Sequence, residues 1–399
     1  MGLFSQRIYA DTAATTSIDR RVLAVLWSNL KNSFGNASSL YVEGVKADRI
    51  LQESRRVVAS ILSAQPDEIV FTSGGTEGNN LAFRGVYEAF KQQTGSDGEI
   101  IVSAIEHQSV LEAAKSCEKL GAKIIILPVD QQGFVDIKVL KEILNDKTVL
   151  VSVAYANNEI GTIADISAIA KVLRHWRKQN GDSDYPYFHT DACQAPRFLP
   201  LKVESLGVDL LTLNGSKIYG PKGVGALYIR RGKKITPILP GGGQEFGLRS
   251  GTQNIPAIAG LAKALQLTET LKAQEVIYLS GLRDQLINLI NQLIPGAVFY
   301  GPVGDKRLPN NVNVGWPGVE AEAVVIGLDA LGISISTGSA CSSKAKPESH
   351  VLKALDANNK LTSVRITLDR RASLKDISKI AKSLKKVIER IKIGQKLVA

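Results

Sequence analysis

Between about residue 69 and residue 230, short runs rich in β-branched residues alternate with longer stretches whose apolar residues recur at helical spacing. The runs are Ile69-Val70-Phe71, Ile100-Ile101-Val102-Ser103, Lys123-Ile124-Ile125-Ile126-Leu127, Val149-Leu150-Val151-Ser152-Val153, Tyr187-Phe188-His189 and Leu210-Leu211-Thr212. Between them, Ile166, Ile169, Ala170 and Leu173 fall on one face of 165–178. Strands separated by helices can pair in parallel only through crossovers, so the rhythm predicts an α/β fold with a largely parallel sheet covered by helices. Ligands of such sheets bind where strands end and loops begin, which tells us where to look for chemistry.

Past residue 255 the pattern changes to long helical stretches with a few strands: Val312-Asn313-Val314, Ile333-Ser334-Ile335 and Ser363-Val364-Arg365-Ile366. A final helix carries Ile377, Ile380, Leu384, Val387, Ile388 and Ile391 at helical spacing, with Lys375, Lys379, Lys382, Lys385 and Lys386 on its remaining faces. This reads as a second, smaller α+β domain. At 399 residues and 44% hydrophobic content the chain is long enough for about two domains with a sizeable core.

No run reaches the roughly twenty apolar residues of a membrane helix, and Met1 to Ile8 lacks a signal peptide's apolar segment, so a cytoplasmic protein is expected. The net charge of +11 is spread along the chain without interleaved aromatic residues, a pattern of solubility rather than direct nucleic-acid binding. The three cysteines, Cys117, Cys193 and Cys341, form no C-x-x-C pair and have no histidine at ligand spacing, so neither a disulfide frame nor a zinc site is indicated.

Four strand exits carry chemistry. After Ile69-Val70-Phe71 comes Thr72-Ser73-Gly74-Gly75-Thr76-Glu77 and then a helical run from about Gly78 to Phe90. Its glycines and free N–H groups suit a phosphate, and a plain turn capped by Thr76 is the simpler alternative. His107 follows a second strand, where a flat imidazole can stack on a ring and exchange protons. Asp191 ends the strand Tyr187-Phe188-His189-Thr190, and Lys217 follows in the loop Asn214-Gly215-Ser216-Lys217-Ile218-Tyr219-Gly220. Pyridoxal 5'-phosphate needs this set: a lysine amine, a carboxylate for the pyridine nitrogen, and a phosphate cradle at a helix start. Cys341 lies in Thr337-Gly338-Ser339-Ala340-Cys341-Ser342-Ser343-Lys344, a loop of small residues near cations that suits a thiolate nucleophile; taken alone, a plain connection holding a structural cysteine is the simpler alternative.

With these motifs in place the chain resembles the cysteine desulfurases of the NifS and IscS type, in the class V branch of fold type I pyridoxal-phosphate enzymes. The resemblance runs from Tyr9-Ala10-Asp11-Thr12 to Ser363-Val364-Arg365-Ile366. It includes Phe71 to Glu77, Glu106-His107, Asn157-Asn158-Glu159-Ile160-Gly161, His189 to Gln194, Lys217 to Gly223, Arg249-Ser250-Gly251-Thr252 and Ser339-Ala340-Cys341. It implies a large domain, 17–262, with a mostly parallel seven-stranded sheet. Residues 1–16 and 263–399 form the small domain, whose loop at about 334–347 holds Cys341.

The resemblance further implies that Lys217 holds the cofactor as a Schiff base and moves the substrate proton. Asp191 pairs with the pyridinium, Gln194 with the ring hydroxyl, and His107 stacks on the ring. Gly75, Thr76, Asn214 and Ser216 face the phosphate, joined by Thr252 from the second subunit of a homodimer. Arg365 grips the substrate carboxylate, with Asn158 and Asn36 beside it. Cys341 takes sulfur from L-cysteine, leaving L-alanine, and hands it to an acceptor protein for iron–sulfur cluster assembly or transfer-RNA thiolation. The same motifs would serve another class V reaction such as selenocysteine lysis, and a scaffold that had lost the cofactor would keep the fold. The chain departs from the family at Asn214 and Ser216, where serine and histidine are usual, and at Ala37 and Tyr41, where proline and histidine are common. Its tail beyond Arg365 is shorter than in the IscS-like members.

Overall fold

The computed structural model describes residues 7–181, 183–338, 349–355 and 362–398. Its centre is a seven-stranded sheet in the spatial order Ile69–Thr72, Gly225–Ile229, Leu210–Asn214, Tyr187–Asp191, Thr148–Ser152, Glu99–Ser103, Lys123–Leu127. Six strands run one way. Gly225–Ile229 alone is antiparallel to both of its neighbours.

Alternate residues of each strand pack on opposite faces, as the pleat requires. Phe71, Ile101, Val151, Phe188 and Leu211 join one apolar cluster, which also takes in buried residues of the helices Val42–Leu62, Ile166–Gln179 and Ile255–Leu293. Val70, Ile100, Leu150, Tyr187 and Leu210 join the cluster on the other face, with the helices Gly75–Thr94 and Gln108–Glu118. Both faces are therefore covered, and the strands read as continuous apolar runs for that reason.

A third cluster gathers around a four-stranded sheet ordered Ser336–Thr337, Ser363–Thr367, Asn311–Gly315, Val298–Phe299, antiparallel throughout. The 39-residue helix Ile255–Leu293 serves both cores. Ile255 to Leu265 pack in the first, and Leu279 to Ile290 in the third. The N-terminal strand Ile8–Tyr9 pairs in parallel with Ile333–Ser334 beside that third core.

Three local readings need correction. The helix expected from about Gly78 begins at Gly75 and runs to Thr94, so Thr76 is its second residue and not its cap; Gly74, at φ 155°, occupies the cap position. The strand expected over Ile333-Ser334-Ile335 stops at Ser334, and after Ile335 a second strand, Ser336–Thr337, joins a different sheet. The strand Gly225–Ile229 had no counterpart in the alternation, because a hairpin return needs no helix before it.

Candidate active site

The carboxyl ends of the parallel strands converge on a cavity of about 240 Å³. Thr72 leads through Ser73 and Gly74 into the helix start at Gly75; Ser103 leads to His107; Asp191 is the last residue of its own strand; and Asn214 leads into the turn that ends at Lys217. Gly75, Thr76, His107, Asn158, Asp191, Gln194, Asn214, Lys217 and Arg365 all line this cavity. A second cavity of about 370 Å³ shares Gly75, Thr76 and Asn214 with it and adds Ser216 and Lys222.

Asp191 is held by a chain of polar groups. Its Oδ1 accepts from the Cys193 amide and its Oδ2 from Asn79 Nδ2, both at 2.9 Å. Asn79 donates its other hydrogen to Ser109 Oγ at 2.8 Å, and Ser109 Oγ stands 2.8 Å from His107 Nδ1. The Ser109 amide also donates to Nδ1, making His107 the cap of the helix Gln108–Glu118 and leaving its proton on Nε2. Burial holds the imidazole below its usual pKa despite the Asp191 charge, so it is neutral at pH 7. Glu106, one residue earlier, is fully buried, and burial pushes its carboxyl up to about 8 with Asp191 adding to the effect.

Also lining the cavity, Lys217 Nζ donates to the Ala14 carbonyl and Gln194 Nε2 to the Ala13 carbonyl at 3.0 Å. Asn214 Oδ1 accepts from both the amide and the hydroxyl of Ser216. Arg365, 2% exposed, donates to Asp11 Oδ1 at 2.8 Å and to the Asn158 carbonyl at 3.2 Å. Its Nε is buried with no partner among the described residues. A guanidinium fixed by two hydrogen bonds and lining the cavity is suited to an anion.

Two expected residues lie elsewhere in the single chain. Asn36 lines neither cavity; its Oδ1 accepts from the Ser38 amide in a local turn. Thr252 is exposed and lines neither cavity. Cys341 is outside the described residues. Sequence reasoning missed Asn79, Ser109 and Asp11, whose roles depend on contacts between distant segments. It also missed Lys222, which places a cation beside Ser216. Cys193 lines the cavity and Cys117 is buried in its helix. Burial pushes the Cys117 thiol up to about 12 and the Cys193 thiol well above its ordinary value, so neither is reactive.

A sheet whose strand ends present a lysine, an aspartate and a glycine-led helix start to one cavity defines a class, and the class V aminotransferase family model matches residues 8–380. The chain belongs to that family. The cysteine desulfurase IscS of Dictyoglomus turgidum is 42% identical over 389 residues, covering 97% of this chain and 96% of that protein. A solved NifS-like protein superposes with a TM-score of 0.87 at 33% identity, covering 96% of this chain and 100% of the other. A further structure, described as SspA in complex with cysteine, superposes with a TM-score of 0.76 at 33% identity, covering 90% of this chain and 98% of that one. Within class V the chain is accordingly a member of the cysteine desulfurases of the NifS and IscS type, a pyridoxal-phosphate-dependent group. No helix among the described residues is long and apolar enough to cross a membrane, and no group of three or more His, Cys, Asp or Glu there is placed to hold a metal.

Proposed function

We propose that the chain works as a homodimeric, cytoplasmic desulfurase that binds pyridoxal 5'-phosphate, takes sulfur from L-cysteine and carries it as a persulfide on Cys341 to an acceptor protein. The observation that carries this reading is the convergence of Lys217, Asp191, His107 and Arg365 on one cavity. The residues present fit the cofactor. A side chain at Gly75 would come within 2.7 Å of Cys193 Sγ, so the helix start stays bare where a phosphate approaches, and Gly74 has open space above it. Thr76, Asn214, Ser216 and Lys222 supply hydroxyl, amide and cationic partners around the same helix start. When bound, the cofactor supplies an electron sink for bond changes at the substrate's α and β carbons.

The remaining work falls to the protein. Asp191, already oriented by Asn79 and the Cys193 amide, keeps a negative charge where a ring nitrogen is to stay protonated. Neutral His107 offers Nε2–H, and Lys217 carries the proton at the substrate's Cα. Arg365, which lines the cavity, takes the substrate carboxylate, while Asp11 fixes the guanidinium plane. The overall change balances: L-cysteine and the Cys341 thiol give L-alanine and a Cys341 persulfide. The acceptor is a thiol on another protein, in iron–sulfur assembly or transfer-RNA thiolation. The division into a 17–262 unit and a unit of 1–16 with 263–399 belongs to this reading.

A second subunit has a place to dock. Leu23, Trp27 and Leu30 form an exposed stripe at helical spacing on the helix Arg20–Asn32, continued by Phe34, Leu40, Tyr41 and Val42. So large a patch of exposed apolar side chains marks an interface. Asn36 lies within this same stretch, which fits a role completed by the partner. Mass spectrometry after incubation with L-cysteine tests the function. One added sulfur atom on the peptide holding Cys341 is expected; full-rate sulfide release by a Cys341→Ala variant would overturn the persulfide step.

A further inference from the structure

Glu159 is 5% exposed and adjoins the cavity without lining it. Its backbone is held from three sides. Asn157 Oδ1 accepts from the amides of Glu159 and Ile160, while the side-chain amides of Asn311 and Asn313 both donate to the Glu159 carbonyl. One residue earlier, Asn158 lines the cavity and accepts from Arg365 through its carbonyl. The position of Glu159 is therefore coupled to the wall that receives the substrate.

Its side chain reaches two places far apart in sequence. Oε2 accepts from Ser349 Oγ at 2.6 Å, and it lies where a Cβ on Gly338 would come within 2.7 Å. Gly338 follows the strand Ser336–Thr337, whose Ser336 is paired with Arg365. Ser349 caps the helix His350–Ala354, its hydroxyl also accepting from the Leu352 amide. That helix packs through Val351 and Leu352 against Ile105 and Ile160, and His350 Nε2 meets the Glu106 carbonyl at 2.9 Å, next to His107. Gly338 and Ser349 are the described residues that flank Cys341 on either side. A single buried carboxyl thus bonds one flank and lies close beside the other. Burying it is costly, since burial pushes it up to about 7 even with Ser349 and Arg365 acting the other way.

We infer that Glu159 is a positioning residue for sulfur transfer, anchoring both flanks of the Cys341 segment to the substrate wall formed by Asn158 and Arg365. This rests on the reading of Cys341 as the sulfur carrier. Glu159 itself touches neither substrate nor cofactor. It acts through the geometry of Gly338 and Ser349, and the absence of a side chain at Gly338 is what allows the carboxyl to approach.

The test uses the holoenzyme and separates substrate binding from transfer. Glu159→Ala is expected to slow single-turnover persulfide formation by about 10- to 100-fold, the range of one hydrogen bond to a charged group. Its affinity for L-cysteine, read from the visible absorption of the holoenzyme, should change by less than about 3-fold. Glu159→Gln keeps an acceptor for Ser349 and should recover most of the rate. Ser349→Ala, which removes one hydroxyl, should slow transfer less than Glu159→Ala, and the double variant should be no slower than Glu159→Ala alone. Hydrogen exchange at 336–338 and 349–355 should quicken in both single variants. Wild-type rates in Glu159→Ala, a matching loss of cysteine affinity, or additive effects in the double variant would each overturn the inference. Should Glu159→Ala fail to fold, Ser349→Ala decides through its rate and its exchange. If wild-type protein places no sulfur on Cys341, the sulfur-carrier reading fails. The exchange measurements then still decide whether Glu159 anchors the two flanks.

Discussion

The three cysteines differ in environment rather than in kind. Cys117 is sealed in a helix and its thiol is pushed up to about 12, so at pH 8 only about one part in 10,000 is thiolate. Cys193 lies against the Gly75 backbone, buried beside Asp191, and burial raises its thiol well above the ordinary value. Brief alkylation of the native protein at pH 8 is expected to label the Cys341 peptide first, with Cys117 and Cys193 reacting only after unfolding. Peptide mapping checks this. Arg365 gives a second prediction. Arg365→Lys keeps the charge but loses the planar fork that Asp11 and Asn158 orient, so KM for L-cysteine should rise by about 10- to 100-fold with the visible cofactor spectrum unchanged. Arg365 stands out in the sequence only through the resemblance. Its partner Asp11 is 354 residues away, and no local pattern connects the two.

At the scale of elements, apolar periodicity was a good guide wherever one helix or strand buries one face. The helix Ile166–Gln179 lies within one residue of its expected ends. The Gly75 helix starts three residues early because a glycine at a positive φ replaces the side-chain cap that would have marked it. The first long helix shows the ordinary device. Asp19 Oδ1 accepts from the Arg21 amide, and its carboxylate also meets the guanidinium groups of Arg21 and Arg370. The Arg21 hydrogen bond, chiefly, lowers its pKa to about 2. A carboxylate with a depressed native pKa stabilises above its unfolded value of about 3.8 and loses that contribution as pH falls toward 2. Asp19→Ala is therefore expected to cost about 1 kcal/mol at pH 7 in urea unfolding, with the difference from wild type vanishing near pH 2.

At the scale of the whole molecule, the stripe Leu23, Trp27 and Leu30 is exposed, and Thr252 and Asn36 lie outside both cavities of one chain, which the proposed dimer would account for. Trp27→Asp places a charge in that stripe and should shift the protein toward monomer by sedimentation, with weaker cofactor retention if the partner completes the site. Retained dimer with full cofactor content would remove Trp27 from the interface.

The alternation of strand and helix, and the lysine, aspartate, histidine and glycines at strand exits, were determined by the sequence itself, because burial of alternating faces and the turn chemistry at strand ends are local properties. What lay beyond it was every pairing across the fold: Asn79 and Ser109 relaying Asp191 to His107, Asp11 orienting Arg365, and Glu159 reaching both Gly338 and Ser349. Those depend on which strand exits the sheet order brings side by side. A hydrogen bond needs its atoms within about 3 Å, a condition that separation along the chain does not encode and only packing can impose.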